Sequence, residues 1–379
     1  MEGLHTPDEW GSLEGKQVLV RVDFNCPVAE VNGRLEVTDD FRIRSTVPLF
    51  RALQAKGASV VAATHFGRPK GQVVEEYSVA PLQRRLDELC PGVELLENLR
   101  FSPGEESNDP SFGASLVKGV DYFVNEAFSA SHRAHASIMI PPSLVPSAAG
   151  PTLRREVETL QRLLSAPERP FVAIVGGAKV KDKLGIVKVL VEKADTVIVG
   201  GGMAYTFAAA QGRSIGTSLF DPSRVEECAE LLATGRVVIP SDALTLPSDS
   251  PFGAGGDLAP TPVEGDVPDG FQGLDIGARS AELFRDIIAG AGTILWNGPM
   301  GVFEDERLRA GTEAVARAVA ASSAVSVVGG GDSVAALQLF GLQDEVSFVS
   351  TGGGASLEFL EFGDLPGLRA LREGRGGAQ

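Results

Sequence analysis

Four times in the second half of this chain an apolar run ends in glycines. The stretches are FVAIVGGAKVKDK at 171–183, DTVIVGGGMA at 195–204, SAVSVVGGGDS at 323–333 and VSFVSTGGGAS at 346–356. Each predicts a buried strand feeding a tight turn and then a helix. Glycine lets backbone N–H groups approach an anion closely, and a helix start adds unpaired donors and a positive dipole end. In an open α/β sheet the carboxyl ends of parallel strands line one crevice, so four such turns would make a backbone-lined, nucleotide-sized floor. In the first stretch Lys179 and Lys183 fall at i, i+4 and would share a helix face toward one phosphate chain, with Lys181 turned away.

With 379 residues, 43% of them hydrophobic, the chain can bury a full core and is expected to form two domains. The net charge of −16 argues against nucleic acid or an anionic membrane as main partner. An anionic ligand must therefore meet a local basic cluster. Cys26, Cys90 and Cys228 show no metal-ligand spacing and cannot all pair, which suits small buried thiols in a reducing compartment. The opening MEGLHTPDEW has no basic region or apolar run, and no segment reaches the roughly 18 apolar residues of a membrane span. A soluble cytoplasmic protein is expected.

In the first half, KQVLVRVDF at 16–24 predicts a strand ending in Asp23 and Asn25. The region from Asn32 offers Thr38 or Asp39 as a cap and then a helix start bearing Arg42 and Arg44, which is costly unless an anion meets them. SVVAATHFGRPKG at 59–71 repeats the design with His65, Arg68 and Lys70; VELLENLRF ends near Arg100; VDYFVNEAFSASHRAHAS leads to His132, Arg133 and His135. A lone loop arginine is an ordinary surface residue. Arg42, Arg68, Arg100 and Arg133 all follow predicted strands in one half of an acidic protein, and arginine suits bidentate recognition of carboxylate or phosphate. A basic pocket for a small anion follows. PPSLVPSAAG at 141–150 reads as a proline-rich loop, PTLRREVETLQRLLSA as an amphipathic linker helix, and 248–273 as an exposed polar loop. TILWNGPMGVFE at 293–304 is a further strand and turn with Asn297 and Glu304, its Trp296 a core residue; from about 357 a short helical piece leads to a frayed glycine-rich end.

At these residues the chain resembles the phosphoglycerate kinase family, over nearly its whole length. The motifs are VDFNCPV, HFGRP, LENLRF, NEAFSASHRAHAS, VGGAKVKDK, GGGMAYTF, WNGPMGVFE, GGGDS and STGGGASLE, in the family's order. The resemblance implies an α/β fold of two Rossmann-like doubly wound domains, their parallel sheets facing a central cleft and joined by a hinge helix. It implies a phosphoglycerate-binding domain at 1–150, the hinge helix at 151–168, a nucleotide-binding domain at 169–356, and a tail at 357–379 packing back toward the N-terminal domain. The activity implied is reversible Mg-dependent phosphoryl transfer between 1,3-bisphosphoglycerate with ADP and 3-phosphoglycerate with ATP, by a monomer that binds neither nucleic acid nor membrane. Asp23, Asn25, Arg42, His65, Arg68, Arg100 and Arg133 would hold phosphoglycerate. Gly177, Lys179, Lys183, Gly201, Asn297, Glu304, Gly330, Gly331, Asp332 and Ser333 would hold the nucleotide, with Asp332 serving magnesium and Glu304 the ribose. Arg42, Lys183, Gly331 and Gly354 would be catalytic, and closure would bring Lys183 and Arg42 together.

The chain departs from the family pattern at Cys26, Glu126, Ser129 and Ala130, where Val, Asp and Gly-Thr are usual, and at PTLRREVE and DIGARS. None of the first four removes a charged ligand, whereas PTLRREVE bears on interdomain packing and DIGARS on a loop near the cleft, so these two touch the rate of closure. A dinucleotide-dependent oxidoreductase would need G-x-G-x-x-G, but GGGMAY and GGGDSV both lack the last glycine. No Walker A motif occurs, since Gly15-Lys16 is followed by Gln17. A silent anion sensor on the same scaffold would not need charge aimed at a transferring group, as Lys183, Arg42 and Asp332 are.

Overall fold

The computed structural model describes residues 3–253 and 256–375. They fall into two units, one comprising residues up to Gln161 together with those from Phe362 onward, the other running from Arg162 to Glu361. The helix Pro151–Ser165 carries the chain from the first to the second.

The first unit contains strands β1 (Gln17–Arg21), β2 (Val28–Val31), β3 (Arg34–Val37), β4 (Ser59–Ala63), β5 (Val93–Leu95), β6 (Tyr122–Asn125) and β7 (Ser147–Ala149). Five of them form a parallel sheet in the order β5-β4-β1-β6-β7. The chain starts in the middle, steps outward through β4 and β5, then returns to the other side of β1, so the strand order reverses between β1 and β6. Val18, Val20, Val60 and Ala62 of the sheet share a core with Ile43, Phe50 and Leu53 of helix Phe41–Ala55 and with Leu82 and Leu86 of helix Ala80–Leu89. β2 and β3 form a hairpin whose Asn32 and Gly33 both have positive φ, the two-residue turn that suits strand twist.

The chain's last described helix, Pro366–Glu373, completes this unit. It buries Leu368 and Leu371, preceded by buried Leu365, and burying such a side chain stabilises by about 1.5–3 kcal/mol. The Gly367 N–H donates to Ser131 O at 2.8 Å, and a Cβ at Gly367 would stand 2.8 Å from Ile138 Cγ2. Arg375 then joins the edge of β7 by accepting from the Ser147 N–H at 3.2 Å.

The second unit contains β8 (Phe171–Val175), β9 (Thr196–Val199), β10 (Val237–Val238), β11 (Asp242–Pro247), β12 (Thr261–Glu264), β13 (Phe271–Ile276), β14 (Thr293–Asn297), β15 (Val325–Gly329) and β16 (Phe348–Val349). Its main sheet is parallel, in the order β10-β9-β8-β14-β15-β16, reversing between β8 and β14. β8 and β14 are buried throughout, as the apolar runs FVAIV and ILW within them require. Trp296 is a core residue, packed with Ile174, Phe284, Ile288 and Val328.

Three expectations need correction. The interval 248–273 is not only loop: β12 and the first half of β13 lie in it and pair antiparallel with β11. The proline-rich stretch 141–150 is likewise structured, as helix Pro141–Leu144 and strand β7, because proline fits the first turn of a helix. The third concerns Lys179 and is taken up below. The last residues of the glycine-rich end expected to be frayed, 376–379, lie outside the described residues.

Candidate functional site

In the first unit the chain leaves β1 still paired, Val22 N–H donating to Ala63 O at 2.9 Å, and Phe24 N–H then donates to Thr64 Oγ1 at 2.9 Å. This holds Asp23 at the carboxyl end of the sheet. Its Oδ1 accepts from Asn25 N–H at 3.1 Å, and its Oδ2 accepts from the Arg42 guanidinium and from the Ser129 hydroxyl. Burial pushes the Asp23 carboxyl up, but Arg42, His65 and Ser129 outweigh it and hold it below the usual range. Arg44, the other arginine of that helix start, is met by the capping residue Asp40 at 2.7 Å. The positive charge at the helix start is therefore answered within the protein.

The HFGRP loop is braced from two sides. Asn25 Oδ1 accepts from Gly67 N–H at 2.9 Å, and Arg100 Nη1 donates to Gly67 O at 2.7 Å. Arg100 is buried, with Glu106 3.0 Å from its Nε. Its observed work is bracing. Burial, together with the nearby Arg21, Arg100 and Arg133, lowers His65 to about 3 despite Asp23, so the imidazole is neutral. Burial likewise lowers His135 to about 4. Arg133 is half-buried, donates to His132 Nε2 at 3.2 Å, and has no carboxylate partner among the described residues. Arg68 is exposed and likewise unpaired among them. Two uncompensated guanidinium groups thus accompany a neutral histidine and a carboxylate-held arginine, an arrangement suited to a small polyanion.

Sequence reasoning missed the group behind this pocket. Arg21, the last residue of β1, is 1% exposed and Glu105 fully buried. Their one trace is a charge inside the apolar run VLVRV and an acid in a helical turn.

In the second unit the glycine turns at the ends of β8 and β9 touch: a Cβ at Gly201 would stand 2.6 Å from the Gly177 nitrogen and 2.9 Å from Pro299 O. The turn after β14 joins them, since a Cβ at Gly298 would meet Gly176 O at 2.2 Å. Gly177, Gly201, Gly298 and Gly330 all have positive φ, between 67° and 120°, which other residues adopt only with strain. Gly330 packs on Asn297, and Gly331 opens helix Gly331–Phe340 with nothing within 4 Å of its Cβ position. The floor is backbone, as expected. Gly354 opens the helix after β16.

Lys183 lies at the reversal between β8 and β14. Its Nζ donates to Gly176 O at 2.7 Å, Asn297 Oδ1 at 2.7 Å and Asn297 O at 3.2 Å. Burial lowers its ammonium to about 8, with Asp332 and Asp182 opposing. The expected shared face with Lys179 is wrong. Residues Val180–Asp182 are a 3-10 turn, and the α-helix begins only at Leu184 because Lys183 is its cap, folded back onto the strand ends. Lys179 is exposed. Ser333 is buried, its hydroxyl accepting from Gly298 N–H, so its observed contact braces the floor. Asp332 and Glu304 are exposed and make no hydrogen bond or ion pair among the described residues. Leu219, unnoticed in the sequence, is 57% exposed and stands beside Gly202.

The family model described as phosphoglycerate kinase matches residues 9–94 and 91–362. A phosphoglycerate kinase of Rubrobacter xylanophilus is 48% identical over 386 residues, covering 95% of this chain and 96% of that protein. One from Moorella thermoacetica is 46% identical over 393 residues, covering 95% and 97%. Among solved structures, phosphoglycerate kinase from Coxiella burnetii has a TM-score of 0.86 at 36% identity, over 97% of this chain and 98% of that one. The enzyme from Pyrococcus horikoshii has a TM-score of 0.80 at 32% identity, over the same shares. Fold and site together define a phosphotransferase, a kinase built from two parallel α/β units. The chain belongs to the phosphoglycerate kinase family. It is an ATP/ADP-dependent enzyme that transfers a phosphoryl group to a carboxyl group, and a member of the glycolytic set.

Proposed function

We propose that the enzyme interconverts 1,3-bisphosphoglycerate with ADP and 3-phosphoglycerate with ATP, the first unit holding phosphoglycerate and the second the nucleotide. The observation that carries this assignment is Lys183, a buried ammonium resting on three oxygens where the strand order of the second unit reverses. Such a lysine can exchange protein oxygens for phosphate oxygens without crossing open water. In the first unit, Asp23 and Asn25 position Arg42 and the HFGRP loop, His65 donates a neutral hydrogen bond, and Arg68 and Arg133 supply unpaired charge to the phosphate. Arg100 acts by bracing.

Asp332 stands in the first turn of helix Gly331–Phe340, unpaired among the described residues beside an open glycine turn, so its carboxylate fits a nucleotide-borne cation. Asp332 is the residue assigned to hold the Mg2+ that accompanies the nucleotide. When bound, that ion would neutralise the phosphate charge. The glycine turns, with Gly331 and Gly354 at helix starts, would meet the phosphates with N–H groups, Glu304 the ribose, and Leu219 the base. Arg42 and Lys183 are assigned to the charge of the transferring group. In-line transfer needs donor and acceptor in contact, so turnover is assigned to a movement about helix Pro151–Ser165.

No described helix is long and apolar enough to cross a membrane. We assign the enzyme to the cytoplasm, as a monomer on diffusible substrates. The test is transfer from Mg-ATP to 3-phosphoglycerate, with the bisphosphate product coupled to NADH oxidation. Turnover lowered by about a hundredfold or more in Lys183→Ala is expected; equal turnover in that variant would defeat the assignment.

A further inference from the structure

Behind the anion pocket runs a buried chain of polar groups from Glu105 to His65. Glu105 accepts from Ser137 N–H at 2.9 Å and from the Ser137 hydroxyl at 2.7 Å. Ser137 Oγ accepts from Arg21 Nε at 2.8 Å, Arg21 Nη1 donates to Val22 O, and Arg21 Nη2 stands 3.2 Å from His65 Nδ1. Arg21, Ser137 and Glu105 are each at most 1% exposed. A guanidinium has five donors and no acceptor, and it keeps its proton at all ordinary pH. The Arg21–His65 bond can therefore exist only with Nδ1 as the acceptor.

We propose that Arg21 is a positioning residue that fixes His65 as the tautomer with an unprotonated Nδ1 and a proton on Nε2, so that His65 meets its anionic ligand as a neutral hydrogen-bond donor and never as an acid or base. Glu105 and Ser137 hold the Arg21 fork in place for this. Among the groups acting on His65, Asp23 at the end of β1 favours a second proton, while Arg21, Arg100 and Arg133 oppose it; His135 lies 3.7 Å from the same Glu105. A donor fixed in this way gives the pocket directionality and keeps it free of a histidine titration near neutrality. The inference rests on the proposed phosphoglycerate pocket only for the identity of the ligand.

The test is 15N NMR of the full chain labelled in histidine, with His65 assigned by its absence in His65→Asn. A pyridine-type shift at Nδ1 and a pyrrole-type shift at Nε2, both flat from about pH 5 to 8, are expected. A proton on Nδ1, or titration inside that window, overturns the proposal. In Arg21→Lys, which keeps the charge and loses the fork, the fixed tautomer should give way to a mixture. KM for 3-phosphoglycerate should rise about tenfold while KM for ATP stays put. An unchanged His65 spectrum in that variant overturns the proposal, and if the variant does not fold the wild-type spectrum decides alone. Should the protein show the expected tautomer but no transfer to 3-phosphoglycerate, the functional assignment fails and the Arg21 role stands.

Discussion

Lys183 and Arg42 differ in how each is held before any ligand arrives, one by neutral oxygens and the other by a carboxylate. Both are assigned to charge that develops on the transferring group, so Lys183→Ala and Arg42→Ala are each expected to lower kcat by about 10²–10³-fold, with smaller changes in KM. Equal losses in binding and turnover would assign them to ground-state binding instead. Because Lys183 titrates near 8, its charged form declines as pH rises through that value. ADP affinity, followed by calorimetry between about pH 7 and 9, should weaken, and the trend should vanish in Lys183→Ala. Most of these residues were legible in the sequence because they sit where a predicted strand ends, and strand ends are where an α/β sheet exposes function. Arg21 escaped because a charge inside an apolar strand has no periodic signature. Lys179 was misread because the i, i+4 rule presumes an α-helix, and a lysine capping one turn later broke it.

At the scale of elements, Glu126 ties the end of β6 to the start of helix Pro151–Ser165. Its two oxygens each accept from Thr152 N–H at 3.1 Å, where a shorter aspartate would fall back by a methylene. Burial raises its carboxyl to about 7 despite those bonds. A folded-state value raised above the unfolded one contributes stability that is complete below about 4.5 and is lost as pH climbs through about 7. The loss is on the order of 3 kcal/mol. Asp275 in the second unit is raised to about 7 by its own burial and acts in the same sense, so the informative quantity is the difference between wild type and Glu126→Gln. Urea unfolding at pH 5 and 8 should show a smaller pH effect in the variant; identical slopes would mean that Glu126 titrates normally. The parallel sheets were legible because strands buried on both faces are continuous apolar words. The hairpin β2-β3 and strand β12 were not, because each is only four residues long, too short for its pattern to stand out, and β2 and β12 are mostly exposed.

For the whole molecule, the first unit is discontinuous in sequence. Deleting the chain after Phe362 removes Leu365, Leu368 and Leu371 from a buried surface along with the bonds of Gly367 and Arg375. That truncation should unfold the first unit while leaving the second, residues 162–361, cooperatively folded. Leu368→Ala alone should cost about 2–5 kcal/mol. A truncated protein with both transitions intact would show that the tail is dispensable. The division into two units was foreseeable from composition and turns, whereas the boundary near 361 was not, because helix Gly354–Phe362 passes through it without any break in pattern.

A ribosome makes the amino-terminal part of a chain first, yet the first unit cannot be finished until the segment from Phe362 onward has appeared. The 200 residues from Arg162 to Glu361, contiguous in sequence, have every part they need before that segment is made. The half that is made first is therefore completed last. During that interval the surface where Ile138 and Ser131 await helix Pro366–Glu373 is open on the nascent chain, and the making of that helix is what closes it.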